Sequence, residues 1–393
     1  MAVLLSIGKI LAAIHEFGHF IMAKATGVRV NEFAIGMGPK LFSFGKGETT
    51  YTIRLFPVGG FCAMQGEDPE VEMPRAMGGS GKAEEDAAFA EGAEGTEQTE
   101  PVLPSAKDPR SFCNKKVWRR IVIVVAGAVM NLVLGFVLLL VYNGVCAAPQ
   151  QDGTVLFPTM TLYSVPEDCP AYATGLRQGD TILRINGSRV LTTMDMGMLM
   201  QSDEDGVLDM VVRRTVDGEE QQVSLPGVTF ELVEAEDGTR YLRYPFVLVG
   251  EERGVWNTVT YSLKSEYSIG VMIWRSLGEI ITGKYGLNEL SGPVGTVNII
   301  GDAVADVVTE ADHMASVRSL LMLIVMITVN LGVFNLLPIP GLDGGRLMFL
   351  IFEGVTRHPV PAKYEGIVHF VGLVLLMLFM LVVTFGDITK LFA

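Results

Sequence analysis

Residues 2–25 read AVLLSIGKILAAIHEFGHFIMAKA, and inside this apolar run His15-Glu16-Phe17-Gly18-His19 places two histidines and a glutamate. The run has no proline and is rich in Ala, Leu and Ile, which predicts a helix. On a helix, residues i and i+4 share a face, so both imidazoles reach one tetrahedral Zn²⁺ while Glu16 stands beside the open position. Ionisable groups inside a spanning helix are costly and usually functional, and here they cluster within a single turn. The competing reading is an amphipathic helix lying wet at the membrane interface.

Three other stretches are long enough to cross a bilayer, which takes about 20 apolar residues. Residues 121–146 (IVIVVAGAVMNLVLGFVLLLVYNGVC) and 319–342 carry no charge, and 366–386 holds only His369 as an ionisable group. With 2–23 they make four spans. Lys24, Arg29, Lys115, Lys116, Arg119 and Arg120 flank the segment 25–118, whereas 147–166 has no Lys or Arg. The positive-inside rule then puts 25–118 in the cytoplasm, the region 148–315 outside, and Arg346, Arg357 and Lys363 back inside.

Composition agrees. Of 393 residues 49% are hydrophobic and only 19% charged, below the quarter usual for soluble domains. The net charge of −14 argues against a nucleic-acid partner. Residues 66–100 hold 11 acidic and 2 basic residues, and 148–254 hold 18 and 8, so the remainder is net basic. The stretch 66–110 is read as an acidic, disordered cytoplasmic insert, because it has too little apolar surface to offset its ordering entropy. The four cysteines form no Cys-x-x-Cys pair and are not expected to bind metal.

A zinc hydrolase site needs a third protein ligand. Asp343, Glu353, His358 and His369 all lie near membrane depth. Asp343 follows Asn335-Leu-Leu-Pro338-Ile-Pro340-Gly-Leu, where the prolines break a helix, and precedes Gly344-Gly345, which lets the backbone turn. His369 reads more readily as a packed helix residue.

HEFGH in the first span, combined with Asn-x-x-Pro-x-Pro-x-Leu-Asp-Gly-Gly in a later one, resembles the site-2 protease family of intramembrane zinc metalloproteases. The resemblance implies one Zn²⁺ per chain held by His15, His19 and Asp343, with Glu16 as general base. Gly127-Ala-Val-Met-Asn131 keeps the Gly and Asn of the family's Gly-Pro-x-x-Asn motif and replaces its Pro. Asn131 and Asn335 are expected near substrate or the developing oxyanion. Residues 33–64, with Gly59 and Gly60, match the family's membrane-associated β-region, whose edge pairs with substrate.

Residues 155–228 resemble a PDZ domain: Ile182, Leu183 and Ile185, then Asn186-Gly187 and Val190, read as a strand and tight hairpin. A helix near 193–201 and strands near 208–214 and 221–225 complete it, and a single copy points to the bacterial single-PDZ branch. Residues 255–300 read as an amphipathic helix on the outer membrane surface, with Trp256, Val259, Leu263, Trp274, Leu277 and Ile281 on its apolar face, followed by a compact Gly-Pro-Val-Gly turn.

The expected fold is a polytopic α-helical membrane protein with four transmembrane helices (1–25, 119–147, 318–345, 364–387), a membrane-associated β-element and one inserted PDZ-like α+β domain. The expected function is cleavage of a single-pass membrane protein, of anti-sigma-factor or remnant signal-peptide type, in a cell membrane, with the active site toward the cytoplasm and the PDZ-like domain outside. The rival is an inactive membrane scaffold that binds partners through that domain; it differs in needing no Glu16.

Overall fold

The first helix of the computed structural model, α1 (Ala2–Ala25), ends in a Schellman turn: Val28 N–H donates to Ala23 O at 2.8 Å and Gly27 N–H to Lys24 O at 3.1 Å. Gly27, at φ 74°, supplies the left-handed residue that this stop requires. The structure describes residues 2–45, 47–67, 108–150, 153–203, 205–234, 240–283, 292–309 and 312–392. Most of the expected acidic insert lies outside the described residues. The chain divides into two compact units, Met1–Asn131 with Phe334–Leu381, and Leu132–Val333 with Val382–Ala393.

In the first unit, β1 (Val30–Phe44) and β2 (Thr50–Met64) fold into an antiparallel sheet with repeated register shifts. Residues 32–35 pair with 60–63 on one side and with 50–53 on the other, and 51–53 pair in turn with 42–44. The segment 60–63 is therefore an edge, paired on one side among the described residues. Glu32 is buried in this sheet and accepts from Thr52 at 2.7 Å, Arg54 at 2.7 Å and Lys40 at 3.3 Å. Burial opposes its ionisation, but these three donors outweigh it and hold the carboxyl below its ordinary pKa. The far half of the ribbon exposes Leu41, Phe42, Phe44, Leu55 and Phe56. Its near half packs with Ala23, Phe112 and Ile123 in one apolar core. Arg110, and Lys24 at 2.9 Å, pair with Glu48 and hold its carboxyl pKa at about 2.

Helix α2 (Val117–Val141) runs on through a π turn, Tyr142–Cys146. The second unit then builds an antiparallel sheet in the order β10-β3-β4-β6-β7 from β3 (Leu156–Ser164), β4 (Thr181–Ile185), β6 (Val207–Val216), β7 (Glu219–Thr229) and β10 (Val247–Glu252). The short strand β5 (Ser188–Arg189) pairs with β4 across Asn186-Gly187, whose φ angles of 47° and 74° make the type I′ turn expected of Asn-Gly. Helices α3 (Pro170–Ala173) and α4 (Thr193–Gln201) complete the PDZ-like module, α4 opening with a Thr192/Asp195 capping box. The module does not stop at residue 228: β8 (Glu231–Glu234) and β9 (Arg240–Arg243) form a hairpin, and β10 closes the sheet against β3.

Helix α5 (Val255–Ile281) turns its small polar side inward. Thr258, Ser262, Ser265 and Ser268 are buried, while Trp256, Leu263, Trp274 and Ile281 are exposed. Asn143 donates to Ser262 at 3.0 Å, and Ser268 donates to Asp195 at 2.7 Å. The Gly-Pro-Val-Gly element is not a compact turn. It opens a 17-residue helix, α6 (Pro293–Thr309), with Pro293 in the first turn, where its missing N–H costs nothing. Asp387 accepts from Gly292 N–H at 3.1 Å and Gly295 N–H at 2.8 Å and so caps that helix.

The expected single element 318–345 is two helices. α7 (His313–Asn335) stops before Pro338 and Pro340, and α8 (Asp343–Thr356) begins with the aspartate itself. Gly344 packs so tightly that a Cβ there would fall 1.9 Å from Leu337 O. The last helix, α9 (Ala362–Phe392), supports the connecting loop, with His369 Nδ1 accepting Gly341 N–H at 3.0 Å. Among the described residues three helical segments are long and apolar enough to cross a membrane: Val117–Cys146, His313–Asn335 and Lys363–Lys390.

The PDZ-like core contains one demanding ion pair. Asp180 is fully buried and accepts two bonds from Arg214, each of 2.7 Å. Arg214→Met leaves that carboxylate without its countercharge, so the module is expected to lose roughly 3 kcal/mol of stability. Urea unfolding of the detergent-solubilised chain, read by proteolysis within residues 155–252, measures the loss.

Candidate metal centre

Helical spacing carries His15 and His19 to one face of α1, where their rings meet edge to face at 4.9 Å between centroids. Asp343, the first residue of α8, reaches the same point. His15 Nε2 stands 3.0 Å from Asp343 Oδ2, His19 Nε2 stands 3.2 Å from the same oxygen, and the two Nε2 atoms are 3.2 Å apart. Two ligands of a tetrahedral zinc ion, each about 2.0–2.1 Å from it, are separated by roughly 3.3 Å. The three donor atoms therefore already have the spacing of three corners of such a site, and they form a group able to hold a metal ion.

Hydrogen bonding points the same way. His19 Nδ1 donates to Ile123 O at 2.9 Å. A carbonyl only accepts, so the ring proton is on Nδ1 and the Nε2 lone pair faces Asp343. Asp343 Oδ2 is buried and receives no hydrogen bond there. With the His19 Nε2 lone pair and an unpartnered Asp343 oxygen facing each other, a cation at that point would offset their mutual repulsion.

Glu16 follows His15 directly and points to the ribbon. A Cβ on Gly60 would come within 3.3 Å of Glu16 Cγ, so the side chain lies against the ribbon. The half-buried carboxylate thus sits between the metal-ligand group and the sheet edge at 60–63. Gly59 lies one residue away, at φ 71°, against Met37. Asn131 Nδ2 is 3.2 Å and Asn335 Nδ2 3.4 Å from His15 Nδ1; Asn131 is fully buried and Asn335 partly exposed.

The other ligand candidates are engaged elsewhere. Glu353 pairs with Arg120 at 2.9 Å, His358 is exposed beside Thr356, and His369 holds the Gly341 loop. Two contributors were not visible as chemistry in the sequence. Ile123 acts through its carbonyl, which carries no side-chain signal. Gly127 acts through its lack of a side chain, since a Cβ there would lie 2.3 Å from His19 Nε2 and 2.7 Å from His15 Cε1. One turn beyond Asp343, Arg346 pairs with Glu67 and stacks on Phe112 at 5.1 Å, tying α8 to the ends of the acidic insert.

Comparison with known proteins gives consistent matches. The family model for peptidase family M50 matches residues 2–379. The zinc metalloprotease RasP of Oceanobacillus iheyensis is 33% identical over 429 residues, covering 98% of this chain and 97% of that protein. The regulator of sigma-W protease RasP of Bacillus subtilis is 33% identical over 433 residues, covering 97% and 96%. A putative zinc metalloprotease of Clostridium acetobutylicum is 31% identical over 389 residues, covering 96% and 94%.

The packing of Gly127 against both imidazoles has a direct consequence. Gly127→Ala forces the rings apart and is expected to lower zinc content to below about a tenth of wild type. Elemental analysis of the purified variant checks this, and Gly8→Ala, where a Cβ meets nothing within 4 Å, serves as the control expected to keep its zinc.

Proposed function

The chain belongs to peptidase family M50 and is a zinc metalloendopeptidase, and from that premise we propose that His15, His19 and Asp343 hold the zinc ion and Glu16 is the general base. The observation that carries this reading is the convergence of the three donor atoms at 3.0–3.2 Å with Glu16 beside them. Zinc, when bound, supplies Lewis-acid chemistry that polarises the scissile carbonyl and makes water acidic enough to lose a proton at neutral pH. Glu16 takes that proton on its carboxylate and delivers it to the amine nitrogen as the C–N bond breaks.

The substrate in this proposal is a single-pass membrane protein. A spanning helix hides its peptide carbonyls in its own hydrogen bonds, so hydrolysis needs a locally unwound segment. The edge at 60–63, with Gly59 and Gly60 leaving its approach free of bulk, offers backbone partners to that segment right beside Glu16. Asn335, partly exposed, offers its amide to the substrate carbonyl. Because one relative is named a regulator of sigma-W protease, the substrate class we favour is an anti-sigma factor, with a remnant signal peptide as the other member of that class.

The proposed topology has four spans. α1, at 1.5 Å per residue, runs about 36 Å and matches a hydrocarbon core of about 30 Å. Its His15, Glu16 and His19 gather at the metal centre, and Lys24 at its end pairs with Glu48. The Lys and Arg distribution puts the active site toward the cytoplasm and the PDZ-like module outside, and the exposed Trp256, Leu263 and Trp274 of α5 lie in the outer interface.

Glu16→Gln preserves shape and removes the base. Cleavage of a co-expressed, tagged single-span substrate is expected to fall by at least about 100-fold while zinc content stays at the wild-type level. Retained cleavage would overturn the mechanism.

A further inference from the structure

Asn131 lies on α2 facing His15 and has no exposed surface, so a substrate has no path to it. Its side-chain nitrogen is 3.2 Å from His15 Nδ1, while its Oδ1 is buried without a hydrogen-bond partner among the described residues. In that orientation the amide donates to Nδ1, which forces the ring proton onto Nε2, the atom that faces Asp343. Turning the amide end for end exchanges oxygen and nitrogen with no change of shape. Oδ1 then accepts Nδ1–H and the Nε2 lone pair of His15 faces Asp343, while the amide NH2 takes the position that has no partner among the described residues, so it is the His15 tautomer that decides between the two orientations.

His19 supplies the independent observation. Its Nδ1 donates to the Ile123 carbonyl at 2.9 Å, which admits one tautomer only. The turned Asn131 gives both imidazoles the same tautomer. Asn335 stands 3.4 Å from the same His15 nitrogen but is partly exposed, and a single Nδ1–H does not serve two acceptors. With Asn131 holding that proton, the Asn335 amide stays available to substrate.

We infer that Asn131 is a positioning residue whose Oδ1 accepts the His15 Nδ1 proton, fixing the ring's tautomer and orientation for zinc rather than contacting substrate. The inference rests on the proposed assignment of His15 as a zinc ligand. An oxyanion role needs Asn131 to donate, whereas this role needs it only to accept, and aspartate separates the two because an ionised carboxylate accepts and does not donate.

The test measures zinc affinity of the full-length, detergent-solubilised chain by competition with a chromophoric chelator, alongside substrate cleavage. Asn131→Leu is expected to weaken zinc binding by about 10–100-fold, the usual effect of removing a partner that orients a ligand. Asn131→Asp is expected to bind zinc within about threefold of wild type or tighter and to retain cleavage. An Asp variant that keeps zinc but loses cleavage makes Asn131 a donor and overturns the inference, as does a Leu variant with wild-type zinc affinity. His15→Ala separates the two levels: if it keeps full affinity, the ligand assignment fails, and if it loses zinc while Asn131→Leu does not, the inference alone fails.

Discussion

Three candidate zinc-ligand atoms, His15 Nε2, His19 Nε2 and Asp343 Oδ2, are held within 3.2 Å of one another, and the first unit is arranged around that convergence. Desolvating such groups without a countercharge is costly, and in the proposed assignment a zinc ion between them supplies that countercharge. The supports are short-range and rigid. The Schellman stop of α1, the bare backbone at Gly127, the proline-broken loop and the tight seat of Gly344 each remove a freedom that would let the donors separate. Placing Asp343 in the first turn of α8 adds the favourable end of a helix dipole to its carboxylate.

The same economy extends to the substrate side. A protease acting on a membrane segment must find its target unwound and must give the released peptide groups new partners. In the proposed function the edge strand beside Glu16 is the element that offers those partners, while the buried Glu32–Arg54 network holds the irregular register of the ribbon. In the second unit, α5 meets its neighbours both by apolar packing, with Ile269 in one core with Leu139, Val325 and Val329, and by hydrogen bonds, through Ser268 to Asp195 and Ser262 to Asn143. Serine allows close helix approach, and its hydroxyl is satisfied locally, which suits packing where lipid removes the usual hydrophobic drive.

Legibility followed the range of the interactions. The pair His15/His19 was readable because i and i+4 on a helix is a local relation, and the Asn186-Gly187 hairpin was readable because two residues carry its turn chemistry. Asp343 stood among open alternatives, since Glu353 and His369 are set aside only by partners elsewhere in the chain, Arg120 and the Gly341 loop, and His358 by its exposure beside Thr356. The PDZ-like module ran past its expected end because β10 pairs with β3 across about 90 residues, a non-local contact with no local signal. α5 showed the periodicity of an amphipathic helix, but the side it buries is mostly Ser and Thr with Ile269, while Trp256, Leu263 and Trp274 are exposed, which hydropathy alone does not predict. Gly127 was visible as the glycine of a family motif but not in its role, which is an absence of side chain, and the Ile123 carbonyl left no trace because it acts through the backbone.

The central claim is that zinc sits on two imidazoles and one carboxylate. Zinc K-edge X-ray absorption of the purified protein tests it most directly. The account expects a nitrogen and oxygen shell at about 2.0–2.1 Å, outer-shell scattering from imidazole rings, and no sulfur. A sulfur shell at about 2.3 Å would put the metal on a cysteine and contradict it.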